Sequence, residues 1–169
     1  MATLNQIFNE LSQFRTYKGR PRIKEMYPDL QVYTLTFTGW AGMNTLMFKS
    51  EVQSESDASK RRLVNILFKK VDFKKGQQDL KHPFRIIIAD TEFFAALPNK
   101  NQEMAMRCSC EDSFYRWGHN LANHNSWIGP RPNFVVKGTG YPQNPKNKMG
   151  LCKHMWAVLQ MLQQGKVLR

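Results

Sequence analysis

Two short stretches decide how this chain folds: Cys-Ser-Cys at residues 108–110 and Cys-Lys-His at residues 152–154. They contain all three cysteines of the sequence. Side chains two residues apart on an extended backbone point to the same side, so each stretch can offer two ligands to one ion. Three thiolates and one imidazole are a standard tetrahedral set for structural zinc. The spacing therefore predicts one Zn²⁺ per chain, with no open position for catalysis, bound by Cys108, Cys110, Cys152 and His154.

The metal and the compartment follow from the same cysteines. Zinc suits this ligand set, because nothing in the sequence indicates a redox role; an iron–sulfur cluster is the alternative. An odd number of cysteines argues against a disulfide protein and favours a reducing compartment. The chain start lacks a basic-then-apolar signal pattern, and no apolar run approaches the roughly 20 residues that cross a bilayer. We therefore expect a cytoplasmic protein that is neither secreted nor inserted in a membrane.

The charge distribution indicates a polyanionic partner. The 169-residue chain has a formal net charge of +12. Its last acidic residue is Asp112, and the segment from Ser113 to Arg169 contains eight of the 25 basic residues. A uniformly basic segment favours contact with DNA or RNA. An acidic protein surface is the alternative partner.

The first residues are predicted to form an amphipathic helix. Residues 3–14 place apolar side chains at helical spacing, and Thr3 with Gln6 fits a capping box. The apolar stripe is interpreted as core, with a docking helix as the alternative. A basic stretch follows at residues 15–24, which we interpret as a solvated loop or as an arm that contacts phosphates.

The pattern of the next ninety residues predicts a small sheet. Residues 31–38 alternate apolar side chains with threonine, as a half-buried strand does, and residues 46–52 complete a hairpin. A brief helix is predicted at residues 91–97. We expect an α+β fold in which residues 1–103 form a mostly antiparallel body, ending at the polar segment 98–103. The other predicted strands are residues 63–73, 84–89 and 104–110.

The C-terminal third is predicted to be a zinc-stabilised module. Residues 151–164 have the apolar spacing of a helix that Gly165 ends, so Cys152 and His154 lie at the helix start. A strand that carries the first ligand pair would face this helix start across the metal. We expect a ββα unit over residues 104–169.

A CxC pair followed by a CxH pair and an apolar helix resembles the SWIM-type zinc finger, over roughly residues 104–164. The resemblance implies zinc ligation by the four residues named above, and a role in DNA binding or protein association rather than catalysis. The gap of 41 residues between Cys110 and Cys152 is longer than that family usually shows.

Two longer strings carry a second resemblance. CSCEDSFYRW at residues 108–117 and YPQNPKNKMGLCKHMWAVLQ at residues 141–160 are similar to small proteins encoded by tailed bacteriophages. This resemblance implies a phage protein that is made in the host cytoplasm and carried in the virion. Its partners would be a protein assembly, including copies of itself.

The insert between the ligand pairs shows little helical or strand periodicity but is rich in aromatic residues and arginine. We interpret the aromatic rings as packing on the helix and on the N-terminal body. Stacking of the rings on bases, with arginine holding phosphates, and use of the insert as a protein-docking loop are the alternatives. The predicted nucleic-acid contacts are Arg116, Arg131, Lys137, Lys146, Lys148, Lys153, Trp117 and Trp127.

His119 and His124 are each adjacent to asparagine, a pattern that also suggests a metal-dependent nuclease. That chemistry needs a histidine base and a metal held by carboxylates, and only Glu111 and Asp112 lie nearby in sequence. We interpret both histidines, and His82, as structural.

The sequence as a whole predicts a non-enzymatic, zinc-stabilised structural or adaptor protein with nucleic-acid contact, no membrane and no small-molecule substrate. A free regulatory or processing nucleic-acid-binding protein is the alternative, and a nuclease is a remote one.

Overall fold

The computed structural model describes residues 1–13, 29–132 and 148–169, and it shows an α+β fold. Its α-helices are α1 (Leu4–Ser12), α2 (His119–Asn123) and α3 (Lys153–Gln164), and a π-helical segment (Ser113–Gly118) leads into α2. Its strands are β1 (Val32–Trp40), β2 (Thr45–Gln53), β3 (Arg61–Lys69), β4 (Phe73–Lys75), β5 (Phe84–Ile88), β6 (Thr91–Ala95) and β7 (Met104–Cys108).

The larger sheet has four antiparallel strands in the order β1-β2-β3-β7. The predicted hairpin of β1 and β2 is confirmed, with a short 3₁₀ turn between the strands. Side chains alternate along β2 and β3, so that one face is buried and the other is not. The buried face includes Phe48, Ile66 and Met106, which lie side by side on β2, β3 and β7.

Helix α3 packs on the buried face of the larger sheet, and α1 shares the same hydrophobic cluster. The Thr3–Gln6 capping box is confirmed, with the Gln6 N–H donating to Thr3 Oγ1 at 3.2 Å and the Thr3 N–H donating to Gln6 Oε1 at 2.8 Å. The stripe of α1 is core, as predicted, because its apolar residues share one hydrophobic cluster with the strands and with α3. Phe8 of α1 contacts Trp156 of α3, with ring centroids 5.4 Å apart. Phe14 and the basic stretch 15–24 lie outside the described residues.

The prediction of a helix at residues 91–97 is wrong. These residues form β6, the central strand of a three-stranded sheet in the order β4-β6-β5. The reason is the turn before them: Ala89 and Asp90 both have positive φ, 45° and 59°, while Ile88 pairs with Thr91. Two such residues make the tight hairpin turn that matches strand twist, and this turn commits the following residues to a strand.

The single strand predicted at residues 63–73 is also wrong, because two strands of different sheets occupy that stretch. Strand β3 ends at Lys69, and Lys70 takes a left-handed conformation with φ of 56°. This kink redirects the chain, so that β4 begins at Phe73 in the smaller sheet. β-branched and aromatic content is high on both sides of the kink, and the pattern therefore does not reveal it.

Strand β7 joins the two parts that the sequence suggested. It lies in the predicted zinc module, yet its antiparallel partner is β3 of the predicted body. The expected ββα unit therefore takes that strand partner from before residue 103, and a division of the chain near 103 stays a prediction. Residues 113–123 of the insert are helical, contrary to the expectation of little periodicity. Within the described ranges, no helix has both the length and the apolar character needed to span a bilayer.

A histidine between two carboxylates fixes the loop that precedes β5. His82 Nδ1 lies 2.8 Å from Asp79 Oδ1, and His82 Nε2 lies 3.0 Å from Asp72 Oδ2. Hydrogen bonding to Asp72, and then to Asp79, raises the pKa of His82 above its ordinary 6.5. The same contact with His82 is the largest cause that lowers the pKa of Asp79. The structural role expected for His82 agrees with this geometry.

We expect His82→Asn to destabilise the protein more at pH 5.5 than at pH 8.5. The raised pKa means that the charged imidazole stabilises the fold fully below the unfolded-state value of about 6.5, and that this contribution is lost as pH rises through the folded-state value. Melting temperatures of both proteins across this range are the measurement. The exposed His124→Asn variant is the matched control, and an equal shift at both pH values would contradict the role of the imidazole charge.

Candidate metal centre

The first ligand pair lies where strand β7 ends. Cys108 is the last residue of β7 and pairs with Val64 of β3. The ladder continues one residue further, because the Leu63 N–H donates to Ser109 Oγ at 3.0 Å and the Ser109 N–H donates to the Leu63 carbonyl at 2.9 Å. Cys108 and Cys110 are buried on either side of the exposed Ser109, so both face the core.

The second ligand pair lies at the start of α3. Cys152 is the N-cap, with an extended backbone (φ −81°, ψ 165°), and His154 follows in the first turn. The approach to the cap is fixed by Gly150, on which a β-carbon would lie 2.4 Å from a ring atom of Trp117. Trp117 is fully buried, so the chain can pass close to its ring only at a glycine.

These two pairs form one buried cluster, as the spacing predicted. The ligand atoms of Cys108, Cys110, Cys152 and His154 all lie within 4.8 Å of one another, and all four residues are buried. Cys152 Sγ and His154 Nδ1 are 3.9 Å apart. Ligands held tetrahedrally at about 2.3 Å from an ion lie roughly 3.8 Å from each other, so the cluster is compatible with a single metal ion.

The chemistry of the donor set supports a metal at this site. His154 Nδ1 is the ring nitrogen that lies 3.9 Å from Cys152 Sγ. The other ring nitrogen, Nε2, is buried without a hydrogen-bond partner among the described residues. A donor set of three sulfurs and one nitrogen suits one soft or borderline ion.

Two helix starts converge on the cluster. Cys110 precedes the helical segment that begins at residue 111, and its carbonyl accepts from the Phe114 N–H at 3.2 Å. Its sulfur takes the place of a capping oxygen, because the Ser113 N–H donates to Cys110 Sγ at 3.3 Å. Cys152 occupies the same position on α3. The partial positive charge of a helix N-terminus favours the thiolate form of a cysteine placed there.

The three buried thiols oppose one another's ionisation. Hydrogen bonds from the thiols of Cys108 and Cys152 lower the pKa of Cys110. The hydrogen bond to Cys110 raises the pKa of Cys108, and burial raises the pKa of Cys152. Three thiolates can coexist here only when a bound cation offsets their charge.

Three of the eight predicted nucleic-acid contacts are engaged inside the protein. Trp117 is fully buried, and Trp127 is 8% exposed with its indole N–H donating to the Pro130 carbonyl at 3.1 Å. Both rings therefore pack in the core, which was the first interpretation of the insert. Arg116 forms an ion pair with Asp112.

The other predicted contacts differ in their surroundings. Lys153 forms an ion pair with Glu55, and Arg131 donates to the side chain of Asn123. Lys148 is half-buried. The contacts predicted at Lys137 and Lys146 lie outside the described residues.

His119 and His124, on which the nuclease hypothesis depends, do not belong to a second group of metal ligands among the described residues. Among the described residues, the Cys₃His cluster is the one group of three or more candidate ligands, and neither His119 nor His124 belongs to it. His124 is exposed at the end of α2, where its N–H donates to the Asn120 carbonyl at 3.3 Å. The nuclease hypothesis gains no support from this arrangement.

Sequence reasoning missed two residues that shape the centre, Ser113 and Gly150. Ser113 is fully buried. Its backbone N–H donates to Cys110 Sγ, and its Oγ accepts from the Cys108 N–H at 3.3 Å. Ser113 follows Cys110 by three residues, which is the spacing between a helix N-cap and the third residue of the helix. This spacing was the available sequence signal for a helix start at Cys110. No local sequence pattern marks Gly150. A glycine is required there by the ring of Trp117, which is distant in sequence.

We expect Gly150→Ala to destabilise the protein by about 1–3 kcal/mol, because the added methyl group overlaps the Trp117 ring and must displace the segment that leads to Cys152. Metal affinity should fall with it. The matched control is Gly42→Ala, where nothing lies within 4 Å of the added atom. Chemical denaturation and a competitive chelator titration measure the two effects, and equal behaviour of the two variants would contradict the close approach.

The arguments for a metal centre rest on the geometry and chemistry of the site. No protein-family model, no curated protein and no solved structure matches this chain. Membership of the SWIM-type family stays a prediction.

Proposed function

We propose that this chain is a non-enzymatic binding protein whose fold is stabilised by one zinc ion and whose partner is a nucleic acid. The observation that carries the metal part is the convergence of four buried ligands, from two segments with 41 residues between them, to within 4.8 Å. Four protein ligands fill a tetrahedral ion and leave no position for water or substrate. This is the structural type of zinc site.

Zinc is favoured by the ligands and by the charge of the site. Thiolate and imidazole select zinc among the available divalent ions, and zinc has no redox chemistry that would require solvent or electron access. The dication reduces the charge of three thiolates to −1, and the two helix N-termini favour that remaining charge. An iron–sulfur cluster is the alternative, which optical absorption distinguishes.

The metal would connect two parts of the chain that are distant in sequence. It joins the end of β7 to the first turn of α3, and α3 contributes a large share of the core residues. Structural zinc contributes folding free energy on the order of 10 kcal/mol, so its loss would release α3 from the sheet.

We expect protein purified without added metal to contain one zinc per chain and to lack visible absorption. Replacing a ligand, in His154→Asn or Cys152→Ser, should abolish zinc binding and lower the melting temperature strongly, because the other ligands are left buried and unsatisfied. Elemental analysis and thermal melts are the measurements. The exposed His124→Asn variant controls for loss of an imidazole. Full zinc content in the ligand variants would disprove the site.

The nucleic-acid part of the proposal is supported by charge. The net charge is +12, and no acidic residue follows Asp112. A bound Zn²⁺ with three thiolates lowers the net charge by only about one. A protein with this excess attracts phosphate backbones and releases their counterions on binding.

We expect the intact, zinc-loaded protein to bind a labelled 20-nucleotide DNA or RNA strand with an affinity that falls steeply between about 50 and 200 mM salt. Fluorescence anisotropy at several salt concentrations measures the slope. Polyglutamate is the control for a generic response to negative charge, since it lacks bases and phosphates. Absence of binding at the lowest salt would disprove the nucleic-acid partner.

The virion role rests on the resemblance to phage proteins and belongs to the same proposal. A discrete oligomer whose assembly changes little with salt concentration would support the virion role. Analytical ultracentrifugation of the zinc-loaded protein separates this outcome from that of a free nucleic-acid-binding protein.

A further inference from the structure

One face of the larger sheet is left open by the helices. Because paired residues on neighbouring strands share a face, Thr36, Lys49, Asn65 and Arg107 form one row across β1, β2, β3 and β7. The neighbouring rows, with Phe48 and Ile66, point the other way into the core. Thr36 and Lys49 are exposed, and Asn65 and Arg107 are half-buried. We call the side with this row the outer face.

The outer face is basic, and only some of its charged side chains form salt bridges. Glu51 is paired with Arg61, with 2.7 Å between the carboxylate and the guanidinium. Lys49 and Arg107 have no salt bridge to any described residue. Strands are about 4.8 Å apart, so these two cations are attached roughly 10 Å from each other on either side of Asn65. Two uncompensated cations at this distance can hold two phosphates of one strand.

The position of Arg107 is fixed by its neighbours. Its guanidinium carbon lies 5.9 Å from the centre of the Trp127 ring. It also passes so close to Gly129 that a β-carbon there would lie 2.5 Å from a guanidinium nitrogen. An arginine held in one place loses less conformational entropy when it binds an anion than a free one does.

Aromatic rings flank the row at both ends of β1. Tyr33 lies on the outer side, because the guanidinium of the outward-facing Arg61 sits 4.5 Å above its ring. Trp40 ends β1 and is 38% exposed. Exposed rings beside cations suit unpaired bases, which stack on aromatic side chains, whereas a duplex hides its base faces.

We propose that the outer face binds a single-stranded nucleic acid, with Lys49 and Arg107 on its phosphates and Trp40 under a base. The inference rests on the proposed nucleic-acid-binding function and names the surface and the strandedness. It relocates the contact from the insert, whose tryptophans are buried, to the sheet. The amide of Asn65 and the hydroxyl of Thr36 supply hydrogen-bonding groups between the cations.

The test compares Lys49→Glu with Lys75→Glu, which makes the same change at an exposed lysine of β4 in the smaller sheet. For a 20-nucleotide strand at about 100 mM salt, we expect Lys49→Glu to weaken binding about tenfold and to reduce the salt slope by about one or more, whereas Lys75→Glu changes it about twofold or less. Trp40→Ala should weaken binding about tenfold with the salt slope unchanged. Zinc content and circular dichroism confirm that each variant is folded.

A second measurement avoids substitutions. Amine-reactive labelling of the wild-type protein, read by mass spectrometry, should show Lys49 protected by the bound strand and Lys75 unprotected. If the wild type binds but Lys49→Glu and Lys75→Glu behave alike and Lys49 stays reactive, the outer face is the wrong surface and the proposed function survives. Tighter binding of duplex than of single strand would overturn the strandedness. No binding by the wild type would remove the proposed function itself.

Discussion

Burial of three thiols and one imidazole in a common contact region is the constraint on which the C-terminal half depends. Contact among the thiols moves the pKa values of Cys108, Cys110 and Cys152 in different directions, so ionisation of one thiol opposes that of its neighbours. Two helix N-termini favour negative charge here, and a bound divalent ion would allow all three thiolates to form. The helical segment after Cys110 and the approach of the chain to Cys152 then have little freedom. Ser113 and Gly150 are residues that fit this geometry.

The positions of the ligands also explain why the N-terminal and C-terminal parts of the chain share one sheet. Strand β7 delivers the first pair, but it is positioned by hydrogen bonds to β3, so the metal site requires a sheet built largely from the N-terminal part. Helix α3 delivers the second pair and covers the buried face of the same sheet. Loss of the metal would therefore act at a joint between sheet and helix. The hydrophobic core would still hold the hairpin of β1 and β2.

The parts that sequence predicted well are those where local pattern and chemistry agree. The capping box of α1, the hairpin of β1 and β2 and the ligand spacing each depend on neighbours in the chain, and all three are found. The errors arise at left-handed residues, Lys70 and the pair Ala89 and Asp90, which redirect the chain without changing the composition of the strands. Trp117 and Trp127 are buried, whereas aromatic content in the sequence does not distinguish a buried ring from an exposed one. Their burial depends on the fold around them.

Strand β7 shows how the metal and the proposed binding surface are related. Successive side chains of a strand point to opposite faces, so Cys108 faces the core while the adjacent Arg107 faces outward. The basic residues that follow Asp112 suggested the binding region from sequence, but Arg116 and Lys153 form ion pairs within the protein. Excess charge in a segment therefore does not locate a surface. In this fold the zinc would act on the inner side, by fixing the end of β7, and a bound strand would lie on the outer side of the same residues.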